Sequence, residues 1–420
     1  MASSRSVLVC GGGLVGLSCA YYLARDGWAV TVLERNPAGA DSCAHGSAGY
    51  ISPSHVLPLA TPGMVWKGLK WMTSSRSPFY IQPRLDIDLL RWAWRFARSC
   101  TPEHTARAAP LLRDLCLDGR QRYLELAAAT GQAFGLQQEG LLNLCQTQQG
   151  LDHEAHGLAA LANELGVEAR VLDAPATAAL EPGTRLAIAG SVYFPIDAHL
   201  SPRRLIPALI GQLESLGVAF RWGTPLSGWR TAAGRVVAAQ TPAGDLVADE
   251  YVLAGGSWSA AMTAGLGLRL PLQAGKGYSL TLPHPRCRLT KPLILTERRV
   301  AVTPLGDELR FGGTMEIAGH RDRVRPERVA QIIAAAQSFL PEFTPADFAG
   351  ITPWFGYRPV SPDGLPYLGR FGRYANLTAA CGHAMLGVTL APATGRLVSE
   401  VLGGRKPSVS LDLLRPDRFA

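Results

Sequence analysis

Val7-Leu8-Val9-Cys10-Gly11-Gly12-Gly13-Leu14-Val15-Gly16 runs a short apolar stretch straight into a glycine-rich turn, and Glu34 closes the next apolar run, Val30-Thr31-Val32-Leu33. This is the layout of a strand, tight turn and helix that clamps a dinucleotide. Gly11 permits the turn, Gly13 lets the backbone approach a pyrophosphate, and Gly16 lets the helix over 17–25 pack closely on the strand. The pyrophosphate is then expected on the free N–H groups and positive end of that helix. After the Gly27 turn and the second strand, Glu34 stands about 20 residues beyond the glycines, where a carboxylate accepts hydrogen bonds from a ribose diol.

Working outward, 420 residues with 47% hydrophobic content are enough to bury a large core and form two domains. The same balance, with 18% charged residues, excludes a disordered chain. Eight cysteines without a CxxC pair suggest neither a zinc site nor a disulfide framework, so no metal is expected and a reducing compartment fits. The apolar stretch from Arg5 to Leu23 has the outline of a signal peptide, but its glycines occupy the nucleotide turn, so it is read as fold. No window reaches the roughly 18 uninterrupted apolar residues of a membrane span. A net charge of +8 favours an acidic partner or an anionic membrane, and no nucleic-acid motif accompanies it.

Residues 46–83 are broken by Ser52-Pro53, Leu57-Pro58, Thr61-Pro62-Gly63 and Ser77-Pro78 and read as a long loop serving a site. Helices are expected over 85–96, 106–130, 151–165, 202–216, 328–339 and 394–402, and strands over 141–145, 169–172, 191–194, 218–222, 251–254 and 376–381. Residues 226–230 and 235–241 read as antiparallel strands joined at Ala233-Gly234. The two-sided strands 277–282, 293–295, 300–304 and 309–313 suggest an antiparallel sheet inserted into a parallel one. The fold class is therefore α/β plus α+β, with a Rossmann-like domain (1–62, 146–180, 200–265, 345–420) interleaved with an antiparallel-sheet substrate domain (63–145, 181–199, 266–344).

Two further segments end in turns that bring backbone to a ligand: Ala254-Gly255-Gly256 after a strand, and Cys381-Gly382-His383-Ala384-Met385-Leu386-Gly387 before a helix. A cofactor touched at three separated segments suits FAD better than NAD. These stretches, with Gly46-Ser47-Ala48-Gly49-Tyr50-Ile51-Ser52-Pro53, Gly275-Lys276-Gly277-Tyr278 and Gly356-Tyr357-Arg358-Pro359, resemble the D-amino acid oxidase and dehydrogenase family of flavoproteins over essentially the whole chain. The likeness is greatest to the bacterial D-amino acid dehydrogenase branch.

The resemblance implies FAD held without a covalent bond. Gly11, Gly13, Val15, Gly16, Glu34 and Arg35 would hold its ADP half and Leu226 its adenine. Gly46, Ser47, Ala48 and Gly49 would pass along the flavin ring, Gly256 would lie near the pyrophosphate, and Gly382, Met385, Leu386, Gly387, Val388 and Thr389 would face the pyrimidine edge. It also implies oxidative deamination of a D-amino acid, D-proline and D-hydroxyproline included, by hydride transfer from Cα to flavin N5. Arg358, read in a proline-rich turn, would bind the substrate carboxylate, assisted by Tyr278. Tyr50, Ser52, His55 and His383 are further site candidates, and His45 and Cys381 are the positions for a covalent flavin link if one exists. No obligatory general base is expected, since orientation and a dry pocket suffice for hydride transfer from a neutral amine.

The expected electron acceptor is a quinone or an electron carrier. Trp66, Lys67, Lys70, Trp71, Arg76, Phe79, Tyr80 and Arg84 mix aromatic and cationic side chains as membrane-surface anchors do. The expected place is the cytoplasm, with attachment to the inner face of the cytoplasmic membrane left open. An oxygen-using glycine, sarcosine or D-amino acid oxidase, an FAD-carrying subunit of a larger complex, and a soluble NAD-dependent dehydrogenase are the alternatives.

Overall fold

A computed structural model describes residues 5–72 and 79–420, the side chains of 69–72 excepted. Of the surface-anchor candidates, Arg76 lies outside the described residues, and for Lys70 and Trp71 only the backbone is described. The expected parallel sheet is present. β1 (Ser6–Cys10) lies at its centre between β2 (Ala29–Leu33) and β13 (Glu250–Leu253), β9 (Ala219–Arg221) and β20 (Leu377–Cys381) continue it in parallel, and β19 (Tyr367–Arg370) closes one edge antiparallel. β1 is buried on both faces, as its unbroken apolar run requires.

A second, nine-stranded sheet runs β18 (Trp354–Val360), β14 (Gln273–Leu282), β17 (Glu308–Ile317), β16 (Val300–Leu305), β15 (Leu293–Leu295), β5 (Leu141–Cys145), β7 (Gly190–Phe194), β6 (Arg170–Asp173), with β4 (Phe79–Ile81) on β17. It is antiparallel except where β5 meets β15 and β4 meets β17. A ribbon of β10 (Gly228–Ala232), β11 (Arg235–Thr241) and β12 (Gly244–Leu246) and a short pair of β3 (Tyr50–Ile51) and β8 (Ala198–His199) complete the strands. The ribbon's first hairpin turns at Ala233 (φ 47°) and Gly234 (φ 71°), two left-handed residues in the arrangement that matches strand twist.

The helices are α1 (Leu14–Arg25), α2 (Met64–Met72), α3 (Ile87–Ser99), α4 (Pro102–Ala129), α5 (Gln148–Glu154), α6 (Ala160–Glu164), α7 (Ala174–Leu180), α8 (Pro202–Ser215), α9 (Ser259–Met262), α10 (Pro326–Phe339) and α11 (Gly387–Leu402). A π turn over Ala155–Ala159 joins α5 to α6 where one helix was expected. α2 and β4 occupy part of the expected loop over 46–83.

The expected domain boundaries need three corrections. β6, expected in the nucleotide domain, pairs with β7 in the nine-stranded sheet. β18 also belongs to that sheet, through its pairing with β14. α4, expected in the substrate domain, instead buries Leu112, Leu115, Tyr123 and Leu126 in the core that covers β1 and β2.

Within that core α4 also sets the start of α11, which begins seven residues earlier than expected. Pro392 sits inside α11 and has no N–H to give the carbonyl four residues back, that of Val388. The Tyr123 hydroxyl donates to that carbonyl instead, at 2.7 Å. The two helices cross closely at Gly119, where a Cβ would collide with the Thr389 carbonyl. Gly119→Val should therefore cost about 1–3 kcal/mol of overpacking, read as an earlier denaturation midpoint, and should displace the N-terminus of α11. An unchanged midpoint would show that the helices do not meet as described.

Candidate active site

The two sheets enclose one large cavity of about 1700 Å³. Ordinary small-molecule sites span roughly 300–1,000 Å³, so this one is large enough for a dinucleotide and a second ligand together. It opens at the C-terminal end of β1, the switch point of the parallel sheet, where nucleotides bind in such folds. Gly13 caps α1, and a Cβ built there would meet nothing within 4 Å, so this turn is open to the cavity. Gly16 acts behind the turn, since a Cβ on it would run into the Gly11 carbonyl. The Glu34 carboxylate is held at the rim by the N–H groups of Gly12 (2.7 Å) and Asn36 (2.9 Å).

The predicted cofactor residues converge on this cavity from separate parts of the chain. Gly11, Gly13, Val15, Glu34, Arg35, Leu226 and Gly256 line one end. Gly46, Ser47, Ala48 and Gly49 line the middle, together with Met385, Leu386, Gly387, Val388 and Thr389 at the start of α11. Gly16 and Gly382 are not in the lining. Gly382 (φ 82°) instead turns the chain between Cys381 and His383. The Arg35 guanidinium lies 3.8 Å above the Trp258 ring. Two helix N-termini, of α1 and α11, thus face the cavity with first-turn N–H groups that have no intrahelical partner. That pairing, with the open Gly13 turn and the unpartnered buried hydroxyl of Ser52, fits a long anionic cofactor such as FAD.

Arg310 is a buried residue beside the cavity loop that no motif announced. It is 1% exposed. Its Nη1 donates to the carbonyls of both His45 and Ser47 at 2.8 Å, and its Nε to Thr281 Oγ1 at 3.0 Å. Burial lowers its pKa to about 10, so the guanidinium stays charged and pins the 46–49 loop against the sheet.

The nine-stranded sheet presents a floor stripped of side chains. Across neighbouring strands Gly356 pairs with Gly277, Ser279 with Gly312, and Gly312 with Ala301. Arg358 lies on this floor. Its guanidinium occupies the place a Cβ of Gly277 would take. The expected turn at Arg358 is corrected to a strand, β18, whose place at the sheet edge tolerates Pro359. Arg358 Nη1 donates to the Thr314 carbonyl at 3.0 Å. Thr314 has φ 60° and sits where β17 carries an extra residue against β14, so a bulge turns that carbonyl toward the guanidinium. Among the described residues Arg358 has no carboxylate partner, and desolvation disfavours its charge.

Tyr278 is among the residues that line the cavity, but its ring is turned from Arg358. Side chains alternate along a strand, so with Gly277 facing Arg358 the Tyr278 ring points to the other face, where it packs with Leu280, Phe311 and Ile332 beneath α10. Its hydroxyl donates to Glu316 Oε2 at 3.2 Å, and burial with that carboxylate raises its pKa to about 12. It is not placed to bind the carboxylate that Arg358 would hold. Tyr50 lines the cavity, but its hydroxyl is spent on the carbonyls of Leu293 (2.6 Å) and Val302 (3.1 Å).

His383 lines the cavity and shares a hydrogen bond of 2.9 Å with Thr394 Oγ1. Burial lowers its pKa to about 4, so it is neutral at neutral pH. His55 and Ser52 line the cavity, and burial takes His55 to about 4 as well. Both sit in a loop held by the buried Asp197, which accepts from Ser54 N at 3.0 Å and Ser54 Oγ at 2.5 Å. Burial raises Asp197 to about 7. His45 does not line the cavity; its Nδ1 accepts from Ser42 N at 2.7 Å. Cys381 does line it, with a thiol that burial raises to about 12.

Two predictions follow from this packing. Arg310→Met removes three charge-assisted hydrogen bonds, each worth about 1.5–3 kcal/mol, and should weaken cofactor retention at least tenfold, read as bound flavin per protein after gel filtration; full retention would free Arg310 of this role. His55, His199 and His383 are held near pKa 4 when folded and titrate near 6.5 when unfolded. The unfolded chain thus binds more protons between those values, and stability is lost as pH falls from about 6.5 to 4, opposed only by Asp197. Denaturation midpoints that stay flat or rise on acidification would contradict this.

The family model for FAD-dependent oxidoreductases called DAO matches residues 6–401. Proteins named D-amino acid dehydrogenase from Granulibacter bethesdensis (35% identical) and Methylobacterium radiotolerans (37% identical) each align over 99% of this chain and 99% of their own length. Among solved structures, glycine oxidase from Geobacillus kaustophilus superposes with a TM-score of 0.79 at 22% identity, covering 99% of this chain and 100% of its own. L-proline dehydrogenase from P. horikoshii does so with a TM-score of 0.75 at 18% identity, covering 100% and 98%. Both share the fold.

Proposed function

The chain belongs to the DAO family of FAD-dependent oxidoreductases, and on that premise we propose that it oxidatively deaminates D-amino acids at the Arg358 end of the cavity. The D-amino acid dehydrogenases it resembles over their whole length support the substrate class. FAD, when bound, supplies the hydride acceptor. We take it to be held without a covalent bond, since His45 stands off the cavity and the Cys381 thiol is strongly protonated.

The observation that carries the reading is the Arg358 guanidinium, without a carboxylate partner among the described residues, on a glycine floor beside the cofactor cradle. A carboxylate seated on it forms a bidentate pair and leaves the substrate Cα–H one preferred direction. With His383 and His55 neutral, neither serves as a proton donor at neutral pH. The chain contributes orientation and exclusion of water, and the imine that leaves is hydrolysed by water to a 2-oxo acid and ammonia. Arg358→Leu should raise KM for a D-amino acid at least tenfold with FAD still bound. Unchanged kinetics would remove Arg358 from the site.

For the acceptor we propose a quinone met at a membrane surface, and not oxygen. Among the described residues no helix is long and apolar enough to cross a membrane. Leu89, Leu90 and Phe96 of α3 line the cavity, and the same helix exposes Ile87 (62%), Leu90 (62%) and Trp94 (59%) beside Arg91 and Arg98. Trp66 of α2 is 77% exposed next to Lys67. Apolar side chains edged by cations suit a peripheral anchor. Trp66→Ser with Trp94→Ser should cut flotation with anionic liposomes while leaving dye reduction intact. Equal flotation of variant and parent would remove this anchor.

A further inference from the structure

We propose that His55 receives the substrate's amino group on Nε2, in a tautomer set by the buried pair Ser54 and Asp197; the arrangement presupposes that Arg358 binds the carboxylate. Asp197 and Ser54 are both 0% exposed and neither lines the cavity, so they act on a ligand only through His55, which does. Asp197 forms no ion pair among the described residues. Arg120 of α4 stands off it, with Nε given to the Ile196 carbonyl and Nη2 to Gln138.

The direction of each hydrogen bond follows from the carboxylate. Ionised, it only accepts. Ser54 therefore donates to it twice, from N at 3.0 Å and from Oγ at 2.5 Å. Ser54 Oγ has lone pairs left for His55 Nδ1, 3.3 Å away, so Nδ1 carries the proton of that bond. A neutral imidazole has a single N–H, and His55 is neutral, which leaves Nε2 with its lone pair. Nε2 has no partner among the described residues. An asparagine would cap Ser54 N as well as Asp197 does; what the carboxylate adds is the direction of the hydroxyl.

The loop also sits where an amine can reach it. Tyr50, at its head, is fastened through its hydroxyl to the carbonyls of Leu293 and Val302, which brings the residues that follow to the end of the floor formed by β15 and β16. The Arg358 guanidinium covers Gly277 of β14, two strands from β16 across β17. Two strand spacings are about 10 Å. The carboxylate and amine of one amino acid, each with its hydrogen bond, need partners roughly 8 Å apart. Carboxylate on Arg358, amine on His55 and Cα–H toward the cofactor are three fixed points, the least that separates one enantiomer from the other.

A protonated Asp197 reverses the relay. It then donates to Ser54 Oγ, the hydroxyl turns to Nδ1, and the imidazole proton moves to Nε2, which offers an ammonium no acceptor. Burial raises Asp197 to about 7 against the pull of its Ser54 bonds and of Arg120. The accepting tautomer thus prevails above that pH and is lost as pH falls through it. Of the other groups around the pair, burial keeps Tyr50 and Cys116 protonated and His199 neutral, and Arg299 lies on the His55 side.

The test uses FAD-loaded protein, D-alanine, and propionate, which is D-alanine without its amino group. Asp197→Asn keeps the bond from Ser54 N but turns the hydroxyl round. Its kcat/KM for D-alanine at pH 8 should fall at least tenfold, with FAD content unchanged and the Ki of propionate within about twofold of the parent. In the parent kcat/KM should drop as pH falls through about 7. That limb should vanish in Asp197→Asn and in Ser54→Ala, a second route should the first variant not fold, leaving only the limb of the substrate's own amine. A limb near 7 that survives both substitutions, or propionate weakened as much as D-alanine, overturns the proposal. Propionate that does not compete in the parent brings down the Arg358 reading, and this one with it.

Discussion

A dinucleotide-sized redox cofactor has to be gripped largely through peptide N–H groups, and backbone is reachable only where side chains are missing. That constraint explains more of this chain than any single contact. Gly13 opens the first turn, Gly46 to Gly49 carry the backbone past the middle of the cavity, and α11 begins where its first amides face inward. On the far side, Gly277, Gly356, Gly312 and Ala301 keep the antiparallel sheet bare. Bare backbone is floppy, so the fold supplies props from elsewhere: Arg310 under the 46–49 loop and Tyr123 under the start of α11.

The same floor makes Arg358 chemically pointed. A guanidinium removed from water with, among the described residues, a single carbonyl partner is short of hydrogen bonds and of charge compensation. A substrate carboxylate provides both. The bulge at Thr314 spends a left-handed residue to aim that one carbonyl, leaving the rest of the fork for a ligand. Binding and orientation are then one event, which is what hydride transfer from a small zwitterion requires.

The N-terminal unit was legible because its signals reinforce one another: apolar run, glycines, second run and Glu34 fix strand, turn, helix and strand together. Much of the cavity lining was legible for the same reason, through several glycine-rich turns. What was missed lies in tertiary choices. Arg358 read as a turn because prolines flank it, but an edge strand tolerates a proline whose missing N–H faces outward. Tyr278 was a site candidate through the family resemblance alone, and alternation along the strand does not say which face is inward; the seat of Arg358 over Gly277 decides that. Pro392 hid the first turns of α11, since nothing local announces that Tyr123, far away in sequence, satisfies the Val388 carbonyl. Arg310 sits in a strand with no motif around it and is found only when the loop it pins is folded beside it.

The central claim is that this cavity joins FAD to an amino acid held by its carboxylate. Anaerobic mixing of the purified yellow protein with a series of D-amino acids, their L-enantiomers and the matching decarboxylated amines tests it most directly. The account predicts that the blue absorbance bleaches with D-amino acids and persists with the amines at equal concentration. Bleaching by the amines as readily as by the amino acids, or by none of the series, would contradict it.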